Sequence, residues 1–425
     1  MTFARQSLGS LASLTFGVLA SILLARLLGA EGRGEYTLAV KVAGLVLAVA
    51  QWGVPEVLLQ LLGERRYPRG TLIGASLALG LAGVVGVGLA LVLAFPFLST
   101  NLLRDVDPLL LGLTLVGSSA SLVGLVARRF IQLDGHVPLY NALDVGRTAL
   151  FLGLVVLAAA KLPGQALGAT LAWLVAECAL ALAAGGYLRR RGVESWRPAA
   201  SVAVVLARAG APIQVGLLAM FIGSEGGAYV LNARLDLAAV GVYTVALSVA
   251  RLVLQVSLAL RTVLQARLVG PATGAADVTA RVTRHGLLWM LLLAAAIGLG
   301  APLVPTIFGR GFAASPAVLV LMLPGMVAYG VWQLLAGHLL RVGRRATLAG
   351  IAWVFAVASM ILQALGAQAF GLSGAAAGLS VAYLLAAGIA VAEFQRATGY
   401  RLRTLLPGAA DLHFYAGLAR GRRAW

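Results

Sequence analysis

Long apolar runs alternate with short polar connections throughout the chain, and this alternation limits the possible folds more than any other feature. Hydrophobic residues make up 60% of the 425 residues and charged residues only 11%, whereas a soluble domain is about one quarter charged. A membrane-crossing helix needs roughly 20 apolar residues. We therefore expect an all-α polytopic membrane protein with about 12 transmembrane helices, near 7–28, 36–60, 71–97, 108–127, 141–160, 166–187, 209–232, 238–262, 284–307, 316–340, 347–366 and 373–394.

One segment of the chain occurs twice. Gly34–Val49 aligns without a gap to Gly241–Val256, 207 residues later, and ten of the sixteen positions are identical. An internal repeat of this kind fixes the architecture. Because each repeat holds six spans, an even number, both enter the membrane in the same direction. The duplication predicts two parallel six-helix repeats, an N-lobe and a C-lobe, related by an axis along the membrane normal and placed around a central cavity.

The positive charge is distributed in a way that predicts membrane orientation. A formal net charge of +18 would suit a nucleic-acid partner, but most of the arginines lie in short connections between spans. Every second connection is basic, as at 65–69, 189–197 and 341–345, whereas the intervening ones carry few cations. Basic connections stay in the cytoplasm. We therefore expect a multi-pass protein of the cytoplasmic (inner) cell membrane with both termini cytoplasmic and no nucleic-acid partner.

The pattern of apolar runs and basic connections divides the chain into four parts. Residues 1–187 are expected to form the N-lobe with helices 1–6, and 188–208 a basic cytoplasmic linker. Residues 209–395 are expected to form the C-lobe with helices 7–12, followed by a basic cytoplasmic tail at 396–425. The linker's second half is a candidate amphipathic helix leading into span 7.

The connection between the first two spans is expected to be a Gly-rich polar turn, and it carries a family resemblance. Its sequence, Ala-Arg-Leu-Leu-Gly-Ala-Glu-Gly-x-Gly-x-Tyr at 25–36, resembles the signature of the polysaccharide-transporter (O-antigen flippase) family. That family belongs to the multidrug/oligosaccharidyl-lipid/polysaccharide exporter superfamily. Further similar stretches lie at 51–56, 128–141, 235–243, 307–314 and 321–326. The resemblance implies a flippase that moves polyprenyl-pyrophosphate-linked oligosaccharides from the inner to the outer leaflet by alternating access. Lipid II flippases of the superfamily usually have two more spans, which weighs against that branch.

Three cations are candidates for binding such a substrate. Charges at membrane depth are costly and by default functional, and a pyrophosphate requires cations. Lys41 lies in span 2 and Arg251 lies deeper in span 8; the repeat alignment pairs Arg251 with Gly44, on the same helix face as Lys41. We expect both to face the central cavity, although Lys41 could instead snorkel to the outer interface. Arg26, at the outer end of span 1, could contact substrate, pack against the turn or snorkel.

The acidic candidates are Glu225 in span 7 and Glu177 in span 6. Glycines flank Glu225 and can mark a helix bend. Three roles are open for it: a gate pair with Lys41 or Arg251, an ion-coupling site, or a static pair. Glu177 and Arg147 lie at comparable depths in adjacent spans, which predicts a structural ion pair that Asp144 could share. The histidines and the single cysteine have no metal-ligand spacing, so no metal and no catalytic residue is expected.

The function expected from these features is that of a flippase, a secondary-type transporter and not an enzyme. No cofactor is expected, and coupling to a Na⁺ or H⁺ gradient stays open. The expected partners are the bilayer, the lipid-linked oligosaccharide and polysaccharide assembly proteins. One alternative is a drug or small-cation antiporter of the same superfamily, although its cavity should be acidic. A less favoured alternative is a membrane-embedded polysaccharide polymerase or ligase, which needs acid/base residues at the outer face. A scaffold protein with no transport role is a third and weak alternative.

Overall fold

A computed structural model describes most of the chain, and it is all-α. It contains α-helices and short 3-10 helices, and no strand occurs in the described residues. Those residues are 2–64, 66–161, 165–191, 196–267, 274–408 and 411.

Fourteen α-helices, named α1 to α14 in chain order, run through these residues. Three of them exceed 30 residues, and several shorter ones continue a neighbour across a one- to three-residue interruption. Their bounds are Thr2–Ala50, Val54–Gly63, Arg69–Thr100, Pro108–Leu133, Val137–Lys161, Gln165–Arg190, Ala200–Glu225, Gly227–Arg234, Leu237–Ala250, Leu254–Arg267, Ala275–Gly300, Val304–Phe308, Ser315–Arg341 and Arg345–Thr398.

The predicted all-α polytopic fold class is confirmed. Within the described part of the chain, ten helical stretches are long and apolar enough to cross a membrane. Two of the ten each contain two predicted spans. The first, α1, is broken at Gly29, where φ is 67°, and the second, α14, at Phe370 and Gly371, where φ of Gly371 is 60°. The twelve predicted spans are thus accommodated by ten stretches.

The connection between spans 1 and 2 differs from the expected polar turn. The whole segment from Ala30 onward is helical, and the helical geometry is broken at a single residue, Gly29. Only glycine adopts a φ of 67° without a steric penalty. Span 2 in turn ends earlier than predicted, at Ala50, because Trp52 and Gly53 both have positive φ; a new helix, α2, begins at Val54 with Pro55 in its first turn.

The described residues form two compact units. The first contains the residues up to Val245 together with Pro305–Ala313, and the second contains Ala246–Val304 and the residues from Ala314 onward. In the first unit the core gathers around Leu58, Leu72 and Phe130. In the second, α13 and α14 pack through stacked rings: Tyr383 lies 4.3 Å from Phe355 and 4.8 Å from Tyr329, centroid to centroid. The division into lobes at 188–208 stays a prediction.

The duplicated segments touch each other inside the first unit. A methyl group added at Gly34 would lie 1.8 Å from the carbonyl oxygen of Leu237, and one added at Gly241 would lie 1.9 Å from that of Ala30. The repeat offset relates Gly34 to Gly241 and Ala30 to Leu237. The two contacts are therefore the same contact made twice, as a two-fold relation between the repeats requires.

Candidate functional site: a charge pair within the spans

Lys41 and Glu225 form an ion pair between two predicted spans. Lys41 lies on the second half of α1, and Glu225 is the last residue of α7. The Lys41 Nζ donates to Glu225 Oε2, and the two side chains are 14% and 18% exposed. A charge in this environment needs a partner because desolvation is costly. The sequence left Lys41 and Arg251 open as partners of Glu225, and in the structure Lys41 forms an ion pair with it.

A glycine allows the two helices to approach at this point. A methyl group added at Gly44, one turn beyond Lys41, would lie 3.2 Å from the ring of Phe221, one turn before Glu225. The Phe221 ring thus occupies the position that a side chain at residue 44 would take. Gly44 is also the repeat equivalent of Arg251. At the position where the second repeat has Arg251, the first repeat has a glycine that allows close packing. The cation of the first repeat, Lys41, lies one turn earlier.

The backbone around Glu225 is less bent than the flanking glycines suggested. Gly226 has φ −61° and ψ −27°, and its N–H still donates to Ile222 O at 2.8 Å. The helix therefore continues into α8 with nearly helical geometry. One turn further on, the Tyr229 hydroxyl is buried and has no hydrogen-bond partner in the described residues. A buried hydroxyl of this kind can accept or donate one further hydrogen bond.

Arg26 binds backbone. Its Nε donates to Ile307 O at 2.7 Å and its Nη2 to Thr306 O at 2.8 Å. The guanidinium thereby holds the connection before α13, and the two segments line a cavity of about 710 Å³. Both acceptors lie on α12 and not on the turn between spans 1 and 2, against which packing was one of the roles left open for Arg26. Substrate contact by Arg26 stays a prediction.

Arg251 lies at an interruption in span 8. It begins a 3-10 helix, Arg251–Val253, between α9 and α10, and its side chain is half-buried. Arg251 belongs to the second compact unit, whereas Lys41 and Glu225 belong to the first. The expectation that Lys41 and Arg251 face one cavity stays a prediction.

Arg147 and Glu177 are in contact, as members of a longer chain of charges. Arg147 Nη1 lies 3.0 Å from Glu177 Oε1, and Arg147 Nη2 lies 3.6 Å from Asp144 Oδ1. The same Asp144 oxygen accepts from Arg128 Nη1 at 2.8 Å. Four charges of alternating sign therefore connect α4, α5 and α6. The purely structural role of the Arg147–Glu177 pair stays a prediction.

Arg128 was missed as a member of this network, although the sequence held a signal. The α4–α5 connection turns at Gly135, where φ is 80°. Two antiparallel helices joined by a short turn bring together residues at equal distances from it. Arg128 and Asp144 each lie eight residues from His136, so the hairpin places them opposite each other.

Gln214 was also missed. It is buried in the middle of α7 and spans the broken end of α1. Its amide nitrogen donates to Ala48 O, and its oxygen accepts from Gly53 N at 2.9 Å. The only available signal was a single polar residue in an apolar run. The Gln214 side chain satisfies backbone groups that a helix break inside a membrane would otherwise leave unpaired.

Comparison with solved structures assigns the fold. The chain is similar to the lipid II flippase MurJ in an inward closed conformation, with a TM-score of 0.75 and 10% identity over 94% of this chain and 88% of that one. It is also similar to an inward-facing multidrug resistance MATE family transporter of the MOP superfamily, with a TM-score of 0.66 and 16% identity over 90% and 94%. The chain therefore has the fold of the MOP-superfamily transporters.

A third similar structure is a MOP superfamily transporter from Pyrococcus furiosus, with a TM-score of 0.57 and 16% identity over 93% of this chain and 94% of that one. Its binding pocket is described as having reverse polarity, which suggests a different function for that protein. No curated protein sequence matches this chain. The profile of the family described as polysaccharide biosynthesis protein matches residues 5–264. The chain belongs to that family.

Proposed function

We propose that this protein is a flippase that moves a polyprenyl-pyrophosphate-linked oligosaccharide from the inner to the outer leaflet by alternating access. The observation that carries the proposal is the Lys41–Glu225 pair, which keeps a cation between two predicted spans, in a chain of the polysaccharide biosynthesis protein family. Once Glu225 releases Lys41, the ammonium can attract a pyrophosphate, and the low dielectric of its surroundings strengthens that attraction. The description of the family, polysaccharide biosynthesis protein, supports a substrate that carries sugars.

Lys41 and Arg251 are the residues proposed to bind the pyrophosphate, and Arg26 is a further candidate near the outer end of span 1. Arginine suits phosphate through its planar fork of donors. Glu225 is the counter-ion of Lys41 in the resting protein and gates access to it or couples transport to a Na⁺ or H⁺ gradient. The protein needs no cofactor, resides in the inner membrane with both termini in the cytoplasm, and meets polysaccharide assembly proteins there.

A drug or small-cation antiporter is the second candidate, favoured by the likeness to a multidrug resistance MATE transporter. A carboxylate that exchanges a proton for a cation would be its central group, and Glu225 is the candidate. Its pairing with Lys41 weighs against this function, because an adjacent ammonium repels a cationic drug.

The test compares both substrates on the same reconstituted protein. Purified protein is placed in vesicles that contain a fluorescent lipid-linked oligosaccharide, and a membrane-impermeant quencher reports the fraction in each leaflet. A flippase accelerates exchange of the pyrophosphate-linked sugar above protein-free vesicles. In parallel vesicles, an antiporter moves a cationic dye against an imposed pH gradient. Dye transport without lipid exchange would contradict the flippase function and favour the antiporter function.

A further inference from the structure

The segment that follows α14 is fixed against the inner ends of α11 and α14. The last residue before the turn, Thr398, is followed by Gly399 with φ 76°, which ends the helix. Tyr400 stacks on Phe394, with ring centroids 6.3 Å apart, and its hydroxyl donates to Asp277 on α11. Leu405 is 3% exposed, in an apolar cluster with Ala280, Leu335 and Phe394. These contacts give residues 399–408 a defined course along the protein surface.

A second anchor holds the segment at its far end. The carboxylate of Asp411 is buried; its Oδ1 lies 2.8 Å from Arg284 Nε on α11, and its Oδ2 accepts from Gly408 N at 2.9 Å. Asp277 lies in the first turn of α11, and Arg284 lies two turns further along the helix. The segment is thus tied to one end of α11 at two points, and that end is cytoplasmic by the charge pattern of the connections.

The face of the segment that points away from the protein combines apolar and basic side chains. Leu402 and Leu406 are 51% and 46% exposed, and Arg401 and Arg403 are exposed beside them. Neither arginine has an ion pair with another described residue. The nearby carboxylates have other partners: Asp411 binds Arg284, and Glu393 binds Arg344 and Arg396. The two guanidinium groups therefore keep their charge available to a partner outside the chain.

Basic and apolar side chains on one exposed segment suit a membrane surface. A basic segment beside the cytoplasmic end of a spanning helix is attracted by the negative surface potential of anionic lipids. Exposed leucines gain by entering the boundary between headgroups and acyl chains, and a guanidinium binds a phosphodiester through two parallel hydrogen bonds. We propose that Arg401, Leu402, Arg403 and Leu406 form a binding surface for the anionic phospholipid headgroups of the inner leaflet. This proposal does not depend on the substrate of the protein.

The test uses the full chain purified from nanodiscs that contain equal parts of phosphatidylglycerol and phosphatidylcholine. Native mass spectrometry then counts the lipids of each kind that stay bound. Wild-type protein should retain phosphatidylglycerol in preference to phosphatidylcholine. The Arg401→Ala, Arg403→Ala variant should lose at least half of the retained phosphatidylglycerol and keep its phosphatidylcholine. Arg401→Lys with Arg403→Lys keeps both charges and should retain more phosphatidylglycerol than the alanine variant.

The matched control is Arg190→Ala with Arg345→Ala, which removes two positive charges from exposed positions in other basic connections. It should leave the preference for phosphatidylglycerol unchanged. Equal losses in the test and control variants, or no loss in the test variant, would overturn the proposal. Inorganic phosphate added at millimolar concentration should not displace the lipid; if it does, the surface binds free phosphate rather than a membrane headgroup. A melting temperature in phosphatidylcholine alone checks that each variant is folded.

Discussion

Gly34 and Gly241 are aligned positions of the two repeats, and each packs against the backbone of the opposite repeat. Gly34 lies against the carbonyl of Leu237, and Gly241 against that of Ala30. Both distances leave no room for a side chain. The sequence duplication is thus matched by a reciprocal contact, which supports the expectation that Tyr36 and Tyr243 are equivalent positions in two superposable repeats. Both tyrosines are buried.

Replacing Gly241 by alanine should therefore destabilise the protein. The new methyl group would start 1.9 Å from the Ala30 carbonyl oxygen, and both backbones must shift to admit it. Overpacking of this kind costs about 1–3 kcal/mol, which should lower the melting temperature of the purified protein. The control is Gly153→Ala, where a methyl group meets no atom within 4 Å; it should not lower the melting temperature, because alanine favours a helix more than glycine does. Equal melting temperatures for both variants would contradict the close contact.

The Arg147–Glu177 pair offers a second prediction about stability. Arg147→Met leaves the 10% exposed Glu177 side chain without its counter-ion, and breaking a buried pair costs about 3–5 kcal/mol; partial exposure of Arg147 places this pair at the lower end. Arg147→Met combined with Glu177→Gln removes both charges and should recover part of the loss. Thermal unfolding of the two variants measures the difference. A double variant less stable than the single one would mean that the pair does not act as a unit.

The orientation inferred from the basic connections is tested by cysteine labelling. In a background with Cys178→Ala, Arg104→Cys and Arg310→Cys should react with an impermeant thiol reagent added to intact cells. Arg190→Cys and Arg345→Cys should react only after permeabilisation. All four positions are exposed in the structure, so burial does not explain a difference. The reverse pattern would place the termini outside the cytoplasm.

Glu225→Gln separates a gate or coupling role from a static pair. The substitution removes the negative charge beside Lys41 and keeps the shape of the side chain. If Glu225 gates or couples transport, the rate should lose its dependence on a pH or Na⁺ gradient while the substrate still binds. If the pair is static, the melting temperature should fall and the gradient dependence should persist. Flux in vesicles with and without each gradient, compared with wild type, distinguishes the two outcomes.

The sequence predicted those features of the fold that depend on local pattern. Apolar runs of sufficient length indicated the spans, and residue type at membrane depth indicated Lys41, Glu225 and Arg147. The contacts that were not predictable join distant parts of the chain. Arg26 binds the backbone of Thr306 and Ile307, and Gln214 binds Ala48 and Gly53. No periodicity reports such pairings, because they depend on how helices pack.

A local feature that the sequence concealed is the backbone at Gly29. The polar connection of residues 30–35 has the composition of a turn, yet it is helical, and the break in the helix is confined to one glycine. Composition distinguishes polar from apolar segments but not a helical connection from an irregular one. The same holds at Phe370 and Gly371, where two spans join inside α14.

We propose that Lys41 and Arg251 hold the pyrophosphate of a lipid-linked oligosaccharide during flipping. The direct measurement is the rate at which this lipid exchanges between leaflets in vesicles with matched amounts of folded protein. Either alanine variant should flip at least tenfold more slowly than wild type, and Arg251→Ala more slowly than Lys41→Ala, because the deeper cation is less screened. Arg251→Lys should recover part of the rate because it keeps the charge and loses the planar fork. Wild-type flipping by the Lys41→Ala, Arg251→Ala double variant would contradict the claim.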